Sequence, residues 1–248
     1  MGFTFTYGYC MFCLMVLLPP ITYSQDFTSS RATYYGSPDR LGTPTGACGF
    51  GEYGRTVNNA NVAGVSRLYR NGTGCGGCYQ VRCKAPHGIC NDDGVNVVVT
   101  DYGEGDKTDF ILSSRAYARL ARPNMAAELF AYGVVDVQYR RISCRYAGYN
   151  LIFKIHEYSR FPEYLAIVVL YQGGQNDILA VQIWQEDCKE WIGMRKAYGA
   201  VWDMPNPPKG YITLRFQVSG SAGLTWVQAK NAIPREWKVG VAYNIQLN

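Results

Sequence analysis

The sequence predicts a mainly β protein of two domains behind an export leader, on three observations. Short β-branched or alternating runs recur along most of the chain, separated by Gly, Pro and Asn turns. Six of the nine cysteines crowd between Cys48 and Cys144, and after them only Cys188 remains. The longest continuous apolar run, Cys10 to Leu18, lies at the N-terminus.

That run is about half of the ~20 residues a membrane span needs. With Pro19-Pro20 behind it and a small-residue exit at Thr22-Tyr23-Ser24, it reads as the core of a signal peptide over residues 1–24. Its first residues lack the usual positive charge. An exported chain meets an oxidising compartment, where clustered cysteines pair with each other. Cys10 and Cys13 leave with the leader. Cys48, Cys75, Cys78, Cys83, Cys90 and Cys144 remain as a disulfide set whose 15 pairings spacing cannot choose among. A zinc knuckle on Cys75-Gly-Gly-Cys78 with His87 is the rival, and it lacks a second ligand pair. A thioredoxin-type pair is excluded because no strand-to-helix step surrounds these cysteines. Cys188, among Glu186, Asp187, Lys189 and Glu190, is either an unpaired thiol, the default expectation, or a site of intermolecular bonding. Asn71-Gly-Thr73 is the glycosylation acceptor, in a glycine-rich turn.

The first domain is placed at residues 25–147. Asn96–Thr100 is a β-branched run and Val134–Ile142 alternates between two faces. One helix is expected from an N-cap at Ser113 or Ser114 through Leu120, stopped by Pro123. Its Arg115, Arg119 and Arg122 share a solvated side. Past Cys144 the character changes, and a connector near Tyr146–Gly148 leads to a second domain at 148–248. There Tyr211–Ser219 alternates cleanly, with Ile212, Leu214, Phe216 and Val218 on one face. Similar runs at Leu151–Tyr158, Leu165–Tyr171, Leu179–Trp184, Leu224–Ala229 and Val241–Leu247 indicate a β-sandwich.

Lys and Arg number 24 against 19 Asp and Glu, and the leader carries no charge, so the exported chain keeps an excess of +5. Outside the cell, mild basicity suits acidic polysaccharide at least as well as a protein partner. Scattered charge and export exclude nucleic acid, and nothing beyond the leader suggests a membrane. Only two histidines are present, His87 and His156, the latter expected at the surface. No Ser-His-Asp set, phosphate-binding loop or metal-ligand set is indicated, and no cofactor is expected.

Several stretches resemble one family in order. Ala32-Thr-Tyr-Tyr-Gly36 is similar to the ATWYG opening of the plant expansins, and Gly46-Ala-Cys-Gly49 to their GACG. Gly74-Cys-Gly-Gly-Cys-Tyr79 with Cys83 resembles their GCGxC-x4-C. Val99-Thr-Asp101 resembles VTD, and Val137-Gln-Tyr-Arg-Arg141 with Cys144 resembles VQYRRVxC. The nearest resemblance is to the expansin-like B subgroup. It implies a double-psi β-barrel, related to family-45 endoglucanases, followed by an immunoglobulin-like β-sandwich that binds carbohydrate. It also implies the pairings Cys48–Cys75, Cys78–Cys144 and Cys83–Cys90.

An inverting glycosidase needs a carboxylic acid and a carboxylate base about 6.5–9.5 Å apart. The family's acid lies in His-Phe-Asp before Leu-Ser. Here the stretch reads Asp109-Phe110-Ile111-Leu112-Ser113, so Ile111 stands at the acid position and Asp109 at the histidine. No base is found near Thr33, and hydrolysis is not expected. Asp109 is read as a solvated loop carboxylate. The alternative is that an extended 109–111 points Asp109 partway into the groove as a substitute acid.

The resemblance places Thr33, Tyr34, Tyr35, Asp101, Tyr102 and Asp109 along a polysaccharide groove on the barrel. In the second domain Trp191-x-x-Met194 with Tyr198-Gly199 and Trp202 resembles WxxM…WGxxW. Tyr171, Tyr198 and Trp202 are the expected stacking platform, and Trp237 is structural. The expected protein is a secreted cell-wall monomer. It grips cellulose, xyloglucan or another glucan without cutting it and loosens contacts between polymers. A wall-binding module without loosening activity and a residual endoglucanase are the alternatives.

Overall fold

The structure, a computed structural model, describes residues 26–85, 88–104, 108–220 and 223–245. The leader at 1–24, with Cys10 and Cys13, and the zinc-knuckle candidate His87 lie outside the described residues.

The barrel half contains strands β1 (Thr28–Tyr35), β2 (Val62–Val65), β3 (Cys78–Cys83), β4 (Val95–Tyr102), β5 (Phe110–Ser113) and β6 (Val135–Ile142). They close in the order β1-β5-β2-β4-β3-β6, with parallel pairs β1/β5 and β2/β4. Closure leaves no free edge. Alternate residues fill the inside, including Ala32, Ala63, Val65, Val81, Val97, Val99, Phe110 and Leu112, all buried. The intervening residues face outward, where Val62, Cys78 and Val98 form a second buried cluster with Val57 and Cys144.

The expected helix is one short turn, α2 (Ser114–Ala118), capped by Ser113 Oγ accepting from Ala116 N–H at 3.1 Å. Leu120 is buried just beyond it. Two further helices, α1 (Glu52–Ala60) and α3 (Ala126–Tyr132), are too short to display a helical period. Three disulfides join Cys48 to Cys75, Cys78 to Cys144 and Cys83 to Cys90. Cys75 and Cys78 bond to different partners, which removes the zinc-knuckle alternative. Cys188 is a free, exposed thiol in the turn 186–189.

The second half comprises β7 (Ile152–Ile155), β8 (Tyr164–Leu170), β9 (Asp177–Gln185), β10 (Glu190–Gly193), β11 (Arg195–Tyr198), β12 (Val201–Pro205), β13 (Ile212–Gly220), β14 (Gly223–Ile233) and β15 (Ala242–Asn244). Two sheets, β10-β9-β13-β14 and β11-β12-β8-β7-β15, face each other across a core that includes Ile167, Ile183, Leu214 and Phe216. This is a double-psi β-barrel followed by an immunoglobulin-like sandwich.

Strand β8 explains its own unbroken apolar sequence. Leu165, Ile167 and Val169 point into the sandwich core, while Ala166, Val168 and Leu170 join the barrel's cluster. A strand buried on both faces reads as a continuous apolar run. The two halves therefore share an apolar seam. Polar ties reinforce it: Arg70 and Arg141 of the barrel both donate to Asp177 of the sandwich, at 2.8 and 3.0 Å. Among the described residues, no helix is long and apolar enough to cross a membrane.

Candidate functional site: an outward groove on the barrel

Register builds the site. Thr33 on β1 pairs with Ile111 on β5, Ile111 with Gly64 on β2, and Gly64 with Asp101 on β4. The four form one row across the outside of the barrel. Gly64 is buried under the 101–103 segment, where a Cβ would meet Asp101 Cβ at 3.6 Å and Gly103 N at 3.8 Å, and it leaves no side chain in the row between Ile111 and Asp101. Those two residues stand two strand spacings apart, about 9.5 Å.

Asp101 is held by backbone donors. Its Oδ1 accepts from Ala47 N–H at 2.6 Å and from its own neighbour Tyr102 N–H at 2.8 Å. Tyr35 lies on the same outer face of β1 as Thr33. Its hydroxyl is buried without a hydrogen-bond partner among the described residues. Burial first, and the Asp101 charge second, push that phenol well above its ordinary pKa. Tyr69, in the 3₁₀ turn Arg67–Gly72, is shifted the same way for the same two reasons. Its hydroxyl donates to Ala47 O at 3.2 Å, and its ring lies 5.1 Å from that of exposed Tyr102. Thr33 Oγ1 donates to Gly133 O at 2.9 Å.

The groove runs on to the sandwich through the segment Ala47–Gly49. A Cβ on Gly49 would meet Tyr198 at 3.0 Å, so the Tyr198 ring rests directly on this glycine. Ala200 N–H donates to Cys48 O at 3.0 Å. Beyond Tyr198 come His156, with Nε2 at 3.1 Å from the Tyr198 hydroxyl, and Tyr158, whose ring is 4.8 Å from the imidazole. Tyr158 is 70% exposed and Tyr198 41% exposed, and both present rings to solvent.

Five sequence expectations are corrected. Tyr34 is not in the groove: strand alternation turns it, with Ala32, against Tyr117 and Phe130, each at 4.7 Å. Asp109 is neither a solvated carboxylate nor a groove acid. Its side chain is buried and accepts from Arg67 Nε at 2.8 Å and Nη2 at 2.5 Å, and from Ser30 and Ser66. These bonds, led by Arg67, lower its pKa to about 2. Trp202 is 5% exposed: Val201 faces the barrel, so the next residue on β12 turns into the sandwich core. Tyr171 belongs to a different cluster, stacked on Tyr149 at 4.4 Å and edge-on to Tyr53 and Tyr146. His156 is buried rather than at the surface.

Thr33, Tyr35, Asp101, Tyr102 and Tyr198 thus lie along one track, and Tyr69, Tyr158 and His156 join it. The sequence carried a weak signal for Tyr158 alone, two residues beyond His156 at a strand end. Asn71 is exposed in its turn.

A closed barrel with an outward polar groove, packed on a two-sheet sandwich, defines a two-domain protein of the expansin architecture. Comparison with known proteins agrees over both halves. The model of the expansin C-terminal domain matches residues 151–234, and a double-psi barrel model described as lytic transglycolase matches 61–139. The chain is 62% identical over 232 residues to expansin-like B1 of Arabidopsis thaliana, covering 93% of this chain and 92% of the relative. It is 43% identical over 235 residues to expansin-like B1 of Oryza sativa, covering 93% and 91%. Among solved structures it is similar to a point-mutant expansin of Clavibacter michiganensis in complex with cellohexaose. That likeness has a TM-score of 0.64 and 20% identity, over 88% of this chain and 96% of the other, and bears on the fold. The chain belongs to the expansin family, in its expansin-like B branch.

Proposed function

We infer that this protein is a secreted cell-wall protein that binds glucan chains along the track from Thr33 through Asp101 to Tyr158, without hydrolysing them. The observation that carries this reading is the row Thr33–Ile111–Gly64–Asp101. Ile111 stands two strands from Asp101 at the position where the family's acid would lie, and a hydrocarbon side chain cannot protonate a leaving oxygen. Asp109, the nearest acid in sequence, is committed to Arg67 and held ionised far below neutral pH. Asp101 remains as an acceptor for sugar hydroxyls, flanked by tyrosine rings that suit sugar faces. Binding of cellohexaose by the bacterial structural relative supports a glucan as ligand.

By occupying a wall glucan along this track, the protein competes with that chain's contacts to neighbouring polymers and lets chains slip. The decisive measurement combines three readouts on one preparation: retention on cellulose, reducing-end release from soluble glucan, and creep of heat-inactivated wall strips. Binding with creep and no reducing ends is the expected result. Binding without creep establishes the wall-binding module instead, and stoichiometric excess of reducing ends over protein establishes a hydrolase. Tyr198→Ala is expected to weaken glucan binding about tenfold, the loss of roughly one stacking contact.

A further inference from the structure

A second cleft crosses the seam between the two halves and shares no lining residue with the groove. Its volume is about 620 Å³, and it is walled by Asn58, Asn96, Arg140, Ser143 and Arg145 of the barrel half and connector, with Gln175 from the sandwich. No carboxylate lines it. Arg141 also lines it and donates at 3.0 Å to Asp177, a carboxylate that it shares with Arg70. Arg140 Nε donates to Gln80 Oε1 at 2.8 Å, which fixes the side chain at the wall. Arg145 is exposed and has no ion pair or hydrogen bond from its side chain among the described residues. The same holds for the Asn96 and Gln175 amides and the Ser143 hydroxyl. Asn58 spends its NH₂ on Asn96 O and Asn61 O, leaving Oδ1 as an acceptor.

We propose that this cleft binds a uronate-bearing polysaccharide, taking a carboxylate at Arg145 and its hydroxyls at the amides and Ser143. The planar guanidinium fork matches a carboxylate, and the Arg145 charge has no acid in the cleft to answer it. The amides and the Asn58 oxygen supply acceptors as well as donors. Hydroxyl groups need both, and a phosphate or sulfate, which only accepts, does not. Pockets at domain junctions are preferred ligand sites, and this one draws on both halves. The protein would then hold two different wall polymers at once, a neutral glucan in the groove and an acidic chain across the seam.

The test is affinity electrophoresis of the whole secreted chain in gels containing de-esterified polygalacturonate, methyl-esterified pectin or a neutral soluble glucan. Arg145→Glu is expected to weaken polygalacturonate retardation about tenfold, the loss of one charge-assisted hydrogen bond with reversal of charge. It should leave neutral-glucan retardation unchanged. Tyr198→Ala should do the reverse, so failure of the cleft and failure of the groove are distinguishable. Lys209→Glu, an equal charge change remote from the cleft, serves as the control. Equal losses for Arg145→Glu and Lys209→Glu would reduce the effect to overall basicity and overturn the proposal. Equal retardation by esterified and de-esterified pectin would overturn it too, as would wild-type polygalacturonate binding by Arg145→Glu. Circular dichroism of each variant confirms that it is folded.

Discussion

Asp109 shows how a single residue changes meaning between sequence and structure. Beside the acid position of a hydrolase relative it reads as a solvated loop carboxylate or, alternatively, as a displaced catalyst, yet four donor atoms from Arg67, Ser30 and Ser66 enclose its carboxylate. Its folded pKa, about 2, lies below the ordinary carboxylate value. The stability it contributes is therefore complete above about pH 4 and is lost as pH falls towards 2. Asp109→Asn is expected to cost about 1–3 kcal/mol, read as a lower denaturation midpoint at neutral pH, with a flatter acid limb. Glucan binding in the groove should persist. His156 works in the same direction on a higher pH range. Tyr158 N–H donates to its Nδ1 at 3.2 Å, which leaves the proton on Nε2 facing the Tyr198 oxygen. Burial, opposed by Glu157 and aided by Lys154, lowers its pKa. Protonation would give Nδ1 a proton and break the Tyr158 bond. The stability tied to neutral His156 is present above the unfolded value near 6.5 and is lost as pH falls through the lower folded value. Thermal midpoints from pH 7 to 4 should decline for the native chain, and the decline should flatten in His156→Gln.

Among the elements, β8 and the disulfides are the most informative. The run YLAIVVL was legible as a strand, but its lack of alternation was not legible as a seam. Only the second partner, the barrel, explains why its outer face is apolar. The fold class and the alternating face of β13 were both readable, because period-2 patterning is a local property. Of the short helices α2 was readable from its serine cap, whereas α1 and α3 were not, since nine and seven residues hold too few turns to show a period. The disulfides differ in what they enclose: 66 residues separate Cys78 from Cys144, and 7 separate Cys83 from Cys90. Loop-closure entropy then predicts a cost of about 4 kcal/mol for opening the first and about 2.5 kcal/mol for the second. Paired Cys→Ser variants, compared by denaturant unfolding, should fall in that order.

For the whole molecule, the alignment of barrel groove and sandwich rings rests on close backbone contact at the seam. Gly199, at φ +48°, approaches the barrel so tightly that a Cβ would lie 2.2 Å from Ala47 O. Gly199→Ala is expected to cost more than about 1 kcal/mol through strain and displacement. It should also tilt Tyr198 away from Asp101. Retention on a long glucan should fall more than affinity for a short oligosaccharide that fits the barrel alone, measured by affinity electrophoresis and calorimetry.

The amino-acid order alone determined two β domains, their cysteine set and the apolar residue at 111, because each is written in local pattern or in the identity of one position. Which rings face solvent was a tertiary decision. Trp202 and Tyr198 sit four residues apart in one aromatic stretch, yet one is buried in the sandwich and the other lies over Gly49. That division depends on which face of each strand meets the barrel, a contact between residues far apart along the chain that no short window of sequence contains.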